Sequence, residues 1–275
     1  MGEVEEVVKE TPRRPPPTTI STTIPFRPRK LRKLTNTTTT TTTTTTSNKN
    51  DPALTPPPVL RLPRPMTSPG EIAAAIDHLR LSDPLLTPVI AAHEPPSFPV
   101  PLPPFHSLAR SILYQQLSPK AASTIYTRFL SLCSSISVSP SSVLSLSPQA
   151  LRAAGVSARK ASYLHDLALK FHSDVLSEDR ILASSDEGSL MSALTAVRGI
   201  GPWSVHMFMI FSLHRPDVLP VGDLGVRKGV RMLYGLDKVP MAAEMEALCE
   251  SWRPYRSVGA WYMWRLAEST LSRPG

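Results

Sequence analysis

From Pro69 to the end of the chain, apolar residues recur at every third or fourth position, which is the spacing of an amphipathic α-helix. The segments PFHSLARSILYQQLS and SPKAASTIYTRFLSLC show this spacing most clearly, and Ser-Pro pairs before several segments are typical of helix starts. No segment alternates polar and apolar residues as a strand would, although the proline-broken residues before Pro104 leave room for a short strand. The pattern predicts a mainly α domain over residues 66–275.

Residues 1–65 lack this pattern and are predicted to form a disordered tail. They hold 12 of the 30 prolines and a threonine tract from Thr37 to Thr46, a composition that cannot bury a core. With 11 basic and 5 acidic residues, the tail carries +6 of the net charge of +8, so the domain itself is nearly neutral. The basic run Arg27 to Lys33 predicts nuclear import, and a solvated basic linker is the alternative.

The rest of the composition excludes several classes of protein. The two cysteines, Cys133 and Cys249, cannot form a disulfide framework or supply the four ligands of an iron–sulfur cluster. The histidines show no metal-ligand spacing, no apolar run is long enough to span a bilayer, and the acidic first residues are unlike a secretory signal. We therefore expect a nuclear protein without a metal centre.

The segment LTAVRGIGPWSVHMFMIF, Leu194 to Phe211, predicts two helices joined by a tight turn. Glycines at 199 and 201 are expected to allow positive φ and the close approach of another molecule, and Pro202 suits the first turn of a helix. The unpaired N–H groups of such a helix start can bind a phosphate. A plain helix–helix turn is the alternative interpretation, because Gly-x-Gly alone is weak evidence.

AVRGIGPWSVHMFMIF resembles the helix-hairpin-helix of the HhH-GPD superfamily of DNA glycosylases, and VLPVGDLGVRKG resembles its Gly/Pro-rich loop ending in an aspartate. SILYQQLSPKAASTI and WRPYRSVGAWYMWRL are similar to segments of its alkylpurine (3-methyladenine) branch. The resemblance implies two helical subdomains that flank a DNA cleft, with the hairpin residues Arg198, Gly199, Ile200 and Gly201 at the DNA. It also implies double-stranded DNA with damaged bases as partner. No cofactor is expected beyond a monovalent cation (Na⁺ or K⁺) on hairpin carbonyls, and the protein is expected to be a monomer.

Asp223 is the candidate catalytic residue. Its place before LGVRKGVRMLYG predicts an N-cap aspartate, whose carboxylate the helix N–H groups hold in one orientation. The resemblance adds the catalytic role: an ionised carboxylate stabilises the oxocarbenium-like sugar and orients the attacking water. A single carboxylate favours cationic substrates such as 3-methyladenine, because a base that already carries positive charge leaves as a neutral molecule without a general acid.

Aromatic residues are the candidates for a base pocket, since their faces attract a cationic ring. Trp203 and Trp264 match pocket positions of the alkylpurine branch, and Tyr114, Trp261 and Tyr262 are weaker candidates; burial in the core is the alternative for all five. Branches that also cut the strand have a lysine at the position of Trp203. Tryptophan cannot form a Schiff base, so this chain is predicted to leave an abasic site.

Two further groups could contact DNA. The resemblance implies that Gln116, or else Leu117, fills the gap left by the flipped nucleotide, and a polar helix end is the alternative. The basic residues Arg227, Lys228 and Arg231 could contact phosphates, or lie on a solvated helix face.

We therefore expect a monofunctional 3-methyladenine-type DNA glycosylase. The alternatives are a non-catalytic DNA-binding module and a glycosylase of the same fold for hypoxanthine or uracil.

Overall fold

The computed structural model describes residues 63–98, 100–133 and 138–271. These residues form helices and loops without a strand, which confirms the predicted mainly α fold. Of the proline-broken segments before Pro104, residues 98 and 100–103 form no strand, and residues 59–62 lie outside the described residues. The described helices are α1 Glu71–Ser82, α2 Leu86–Ala92, α3 Pro104–Tyr114, α4 Pro119–Leu132, α5 Pro140–Leu144, α6 Pro148–Ala153, α7 Ala158–His172, α8 Glu178–Ala183, α9 Glu187–Thr195, α10 Pro202–Phe211, α11 Leu224–Leu233, α12 Ala242–Leu248, the 3-10 turn Glu250–Trp252 and α13 Arg256–Leu271. Residues 1–62 of the predicted tail, which include the basic run and the threonine tract, lie outside the described residues.

Ser-Pro pairs start three helices. Ser118, Ser139 and Ser147 are the N-caps of α4, α5 and α6, and each hydroxyl accepts a hydrogen bond from a backbone N–H in the first turn. Proline follows in each case, because its missing N–H costs nothing at the first helical position. The pairs therefore fix where the helices begin, as the sequence pattern predicts.

The helices pack in two groups. Helices α4, α7 and α8 pack against α3, and α5 and α6 pack against α7, whereas α1, α2, α11 and α13 pack against one another. Helix α10 packs against α9 and also against α3, and so connects the hairpin to the first group. Helix α10 is apolar on nearly all sides, and Val205, Phe208 and Met209 are buried in the core. Among the described helices, none has the length and apolar character to cross a bilayer.

A glycine sets the approach of the two long helices of the second group. A Cβ at Gly229 of α11 would lie 2.3 Å from the backbone oxygen of Met263 in α13. The bare Cα therefore allows the two backbones to approach closely. This contact is important for the site, because α11 and α13 carry two of its side chains.

Residues just before α1 are attached to the domain through a buried carboxylate. The Arg64 guanidinium lies 3.1 Å from Glu71, which is 1% exposed and also accepts a 2.9 Å hydrogen bond from the Tyr255 hydroxyl. The Met66 N–H donates to the carbonyl of His214, and the Met66 side chain is buried. Arg64 therefore contacts the core, although the boundary predicted from the sequence falls between residues 65 and 66.

Truncation should distinguish a domain start at residue 63 from one at residue 66. A protein that begins at Pro63 is expected to unfold at the same denaturant midpoint as the full chain. Beginning at Met66 removes the cation beside the buried Glu71 and should lower the free energy of unfolding by about 1–2 kcal/mol, a value reduced by the partial exposure of Arg64. Urea titration of both proteins and of Arg64→Met in the full chain checks this. Equal stability of all the proteins would contradict it.

Candidate active site and DNA-binding turns

Asp223 lies at the start of α11, where three N–H groups hold its carboxylate. The Val226 N–H donates to Oδ1 over 2.9 Å, as expected for an N-cap. Two indole N–H groups complete the set: Trp264 donates to Oδ1 over 2.8 Å and Trp203 to Oδ2 over 2.6 Å. The side chain is 9% exposed. Both carboxylate oxygens are therefore fixed in orientation by elements distant in the sequence.

The approach of Trp264 to Asp223 requires a glycine in between. A Cβ at Gly225 would lie 2.8 Å from the Trp264 ring and 3.1 Å from Oδ1 of Asp223. The other side of the Trp264 indole stacks on Phe211 at the end of α10, with ring centroids 5.7 Å apart. This packing holds the indole N–H in the direction of the carboxylate.

A cleft of about 550 Å³ lies between α3 and α10. Its walls include Tyr114, Trp203, Met207 and Phe211, so an aromatic base would meet mainly apolar and aromatic surfaces. Asp223 does not line this cleft. Trp203, which is 50% exposed, both lines the cleft and donates to the carboxylate, so it connects the two.

The five aromatic candidates fall into three groups. Trp203 and Tyr114 line the cleft, whereas Trp264 does not line it and donates to Asp223. Tyr262 is fully buried in the core, and the Trp261 indole lies 3.4 Å from the carbonyl of Glu94. These two weaker candidates therefore pack within the protein and do not line the cleft. The Arg110 guanidinium lies 4.4 Å from the centre of the Tyr114 ring, and it covers the face that a base would stack on.

The hairpin turn, residues 196–201, joins α9 to α10. Gly199 has a φ of +83°, and a Cβ there would lie 2.1 Å from the ring of Tyr163, so only glycine fits. The prediction of positive φ is wrong for Gly201, whose φ is −104°, because it is the N-cap of α10 and must enter the helix from an extended conformation. No atom lies within 4 Å of a Cβ built at Gly201, so this side of the turn is open to another molecule.

The first turn of α10 offers backbone N–H groups that have no partner within the helix. Gly201 is the N-cap without a side-chain cap, and Pro202 follows at the first position, so the N–H groups of Trp203 and Ser204 point out of the helix start. The Ile200 side chain is 6% exposed and therefore anchors the turn in the core. The N–H of Ile200 donates to the carbonyl of Val197, so both its side chain and its N–H have structural contacts.

Arg198 is bound to α7 in this structure. Its N–H donates to Oδ2 of Asp166 over 2.9 Å, and its guanidinium lies 3.2 Å from Oδ1. Burial of Asp166 opposes ionisation, but these contacts to Arg198, together with Lys170, hold the pKa of its carboxyl below the usual value. The Arg198 side chain is 68% exposed, so it can contact solvent or a phosphate beside this ion pair.

Residues 115–117 leave the end of α3, and we call them the wedge turn after the role that the resemblance predicts for Gln116 and Leu117. Gln116 has a φ of +56°, a conformation that is uncommon for a residue other than glycine, and its side chain is exposed, as is that of Leu117. The Gln115 side-chain amide donates to the carbonyl of Gly199 over 2.8 Å. The wedge turn and the hairpin turn are therefore neighbours, at one end of the cleft.

The basic residues of α11 are used differently from one another. Arg227 donates to the carbonyl of Pro240 over 2.8 Å, and Arg231 donates to the carbonyl of Leu236 over 3.1 Å, so both hold neighbouring loops. Lys228 is exposed, and among the described residues its side chain makes no such contact with a loop carbonyl.

Several residues of the site carry no signal in the sequence pattern. Their partners lie far away along the chain: Asp166 contacts Arg198, Lys160 contacts Gln115 in the wedge turn, and Phe211 contacts Trp264. Within the described residues, no group of three or more His, Cys, Asp and Glu side chains could hold a metal ion. The site thus contains one buried carboxylate, two indole donors and an aromatic cleft.

Comparisons with known proteins agree with this arrangement. The family model of HhH-GPD superfamily base excision DNA repair proteins matches residues 109–254, which include Trp203 and Asp223. The chain is 34% identical over 166 residues to DNA-3-methyladenine glycosylase 1 of Schizosaccharomyces pombe, covering 60% of this chain and 73% of that protein.

Two solved structures are also similar. The DNA-3-methyladenine glycosidase of Bacillus halodurans has a TM-score of 0.66 at 33% identity, covering 76% of this chain and 94% of that one. The 3-methyladenine DNA glycosylase (Mag1) of Schizosaccharomyces pombe, solved in complex with abasic DNA, has a TM-score of 0.59 at 33% identity, covering 70% of this chain and 95% of that one.

Proposed function

The chain belongs to the HhH-GPD superfamily of base excision DNA repair proteins, and on that premise we propose that it is a monofunctional DNA-3-methyladenine glycosylase. It hydrolyses the bond between an alkylated purine and deoxyribose and leaves an abasic site. The observation that carries the assignment is the carboxylate of Asp223, fixed by the two indole N–H groups of Trp203 and Trp264 beside an aromatic cleft.

Asp223 performs the chemistry in this proposal. As the glycosidic bond breaks, positive charge develops on the sugar, and a nearby carboxylate in a water-poor site stabilises it. The same carboxylate orients the water that attacks the anomeric carbon. An alkylated purine with a positive charge leaves as a neutral base, so the reaction needs no second carboxylate. Trp203 in place of a lysine leaves no amine at that position to form a Schiff base, which is consistent with hydrolysis alone.

The flipped base occupies the cleft between α3 and α10. Trp203 and Tyr114 offer aromatic faces to it, once the Arg110 guanidinium has moved from the Tyr114 ring. The open backbone at Gly201 and the N–H groups of the first turn of α10 bind a DNA phosphate. Gln116, which lines the end of the same cleft, and its exposed neighbour Leu117 fill the space that the flipped nucleotide leaves.

Three further parts of the proposal concern the setting of the reaction. We propose that the protein acts as a monomer in the nucleus, on duplex DNA with damaged bases. The carbonyl oxygens of Gly199 and Gly201 could hold a monovalent cation at the hairpin. Each of them accepts one hydrogen bond and keeps a second lone pair for the ion. Dependence of DNA affinity on the identity of the monovalent cation at constant ionic strength would test this.

A panel of damaged duplexes tests the proposed substrate class. The purified protein is incubated with matched duplexes that contain 3-methyladenine, hypoxanthine or uracil, and the released bases are quantified. The proposal expects release of 3-methyladenine well above the other two. Release of only hypoxanthine or uracil would indicate a glycosylase for another lesion, and tight DNA binding without any release would indicate a binding module.

Replacing Trp203 by phenylalanine separates its two contacts. Trp203→Phe keeps an aromatic wall but removes the N–H group that donates to Asp223. The single-turnover rate of base release should fall about 10- to 100-fold, because a hydrogen bond to a charged acceptor contributes about 1.5–3 kcal/mol. Trp261→Phe, which changes an indole away from the cleft, is the matched control and should keep the wild-type rate. Equal rates for both variants would show that the N–H group does not orient the carboxylate.

A further inference from the structure

Helix α7 contacts both turns that face the DNA in the proposed function, although that function assigns it no role. Asp166 binds the hairpin turn through Arg198. Lys160, in the first turn of the same helix, donates from Nζ to the carbonyls of Leu113 and Gln115, both over 2.7 Å. One helix therefore fixes the hairpin turn and the end of α3, from which the wedge turn leaves.

The ammonium group of Lys160 completes the end of α3. The last carbonyls of a helix have no partner within it, and they form the negative end of the helix dipole. A lysine from another helix satisfies two of these carbonyls at once and interacts favourably with that dipole. Partial burial lowers the pKa of Lys160 from its usual value, as is expected for an amine that protein carbonyls rather than water surround.

The wedge turn depends on these polar contacts, because little packs beneath it. A cavity of about 210 Å³ lies under the turn, lined by Gln116, Leu117, Ile125 and Lys160 among others. Gln116 is held at a φ of +56°, which a glutamine adopts only when its surroundings impose it. Gln115, the residue before it, is held by Lys160 at its carbonyl and by Gly199 at its side-chain amide.

We propose that Lys160 is a positioning residue for DNA distortion: its ammonium group holds the wedge turn in the geometry in which Gln116 enters the duplex when a nucleotide is extruded. The inference rests on the proposed function, since it takes residues 116 and 117 as the wedge. Lys160 acts through the turn and does not touch the substrate.

The test uses a duplex with a tetrahydrofuran abasic analogue and 2-aminopurine as the neighbouring base, whose fluorescence rises when the wedge disrupts stacking. Because no base is released, the readout is independent of catalysis. Lys160→Met keeps much of the side chain but loses the donors, whereas Lys160→Arg retains donors for both carbonyls. Lys120→Met removes an exposed charge from the first turn of α4, close to the same turn, and is the matched control.

At saturating protein, Lys160→Met should reduce the fluorescence increase by more than half, while Lys160→Arg and Lys120→Met keep most of it.

In single-turnover excision, Lys160→Met should lower the rate about ten-fold, and the effect should not add to that of Gln116→Ala, because residues in one contact network couple. A full fluorescence increase for Lys160→Met with lower thermal stability, or additive rate effects, would overturn the inference and make Lys160 merely structural. Failure of the wild type to bind this duplex, or binding without base release from damaged DNA, would instead count against the proposed function.

Discussion

Asp223→Asn should remove nearly all base release while the protein still folds and still binds damaged DNA. The substitution keeps the size of the side chain and removes the charge that stabilises the sugar cation. It also places an NH₂ group at one of the two oxygen positions; at Oδ2 the Trp203 indole loses its acceptor, and at Oδ1 both the Val226 N–H and the Trp264 indole lose theirs. The single-turnover rate should fall by about 10³-fold, the upper part of the range seen when an electrostatic stabiliser is removed.

The matched control for this variant is Asp237→Asn, which changes an exposed carboxylate in the loop after α11. It should release base at the wild-type rate, and both variants should bind a duplex with an abasic analogue within a few-fold of wild type. Release by Asp223→Asn within ten-fold of wild type would show that another group carries the reaction.

Gly199→Ala should disrupt the hairpin turn, and Gly201→Ala should not. Alanine at 199 must adopt a φ of +83° and place its Cβ 2.1 Å from the Tyr163 ring. Backbone strain and overpacking together should lower the free energy of unfolding by about 2–4 kcal/mol. At 201 the φ of −104° suits alanine and the space is open, so only the weaker N-cap preference is lost, which costs less than about 1 kcal/mol.

DNA affinity distinguishes the two glycines in a second way. Gly201→Ala should unfold close to the wild-type midpoint yet bind duplex DNA about ten-fold more weakly, because the added methyl group lies where a phosphate approaches the backbone. Urea titration and fluorescence anisotropy with the same duplex measure both effects. Wild-type affinity in Gly201→Ala would mean that this side of the turn does not face DNA.

Local sequence signals were sufficient for most of the helices and for the position of Asp223. A Ser-Pro pair sets the N-cap and the first turn of α4 by itself, and an aspartate before an amphipathic segment is an N-cap for reasons that are equally local. The turn at Gly199 could be predicted in the same way, because its positive φ follows from the tight reversal between α9 and α10.

Contacts between distant residues could not be predicted from these signals. In the sequence, Lys160 and Asp166 look like ordinary polar residues of α7. The partner of Lys160 is Gln115, 45 residues away, and the partner of Asp166 is Arg198, 32 residues away. The indole N–H of Trp203 has no visible acceptor in the sequence until α10 and α11 are placed side by side. The positive φ predicted for Gly201 is wrong, because the Gly-x-Gly pattern does not show which glycine closes the turn and which one begins the helix.

The central claim is that this chain hydrolyses the bond between an alkylated purine and its sugar. The most direct measurement is product analysis after incubation of a single-lesion 3-methyladenine duplex with the wild-type protein. Free 3-methyladenine in molar equivalence to abasic sites, on a strand that breaks only after alkali, is the predicted result. A duplex that keeps its methylated base, or a strand cut by the protein itself, would contradict the account.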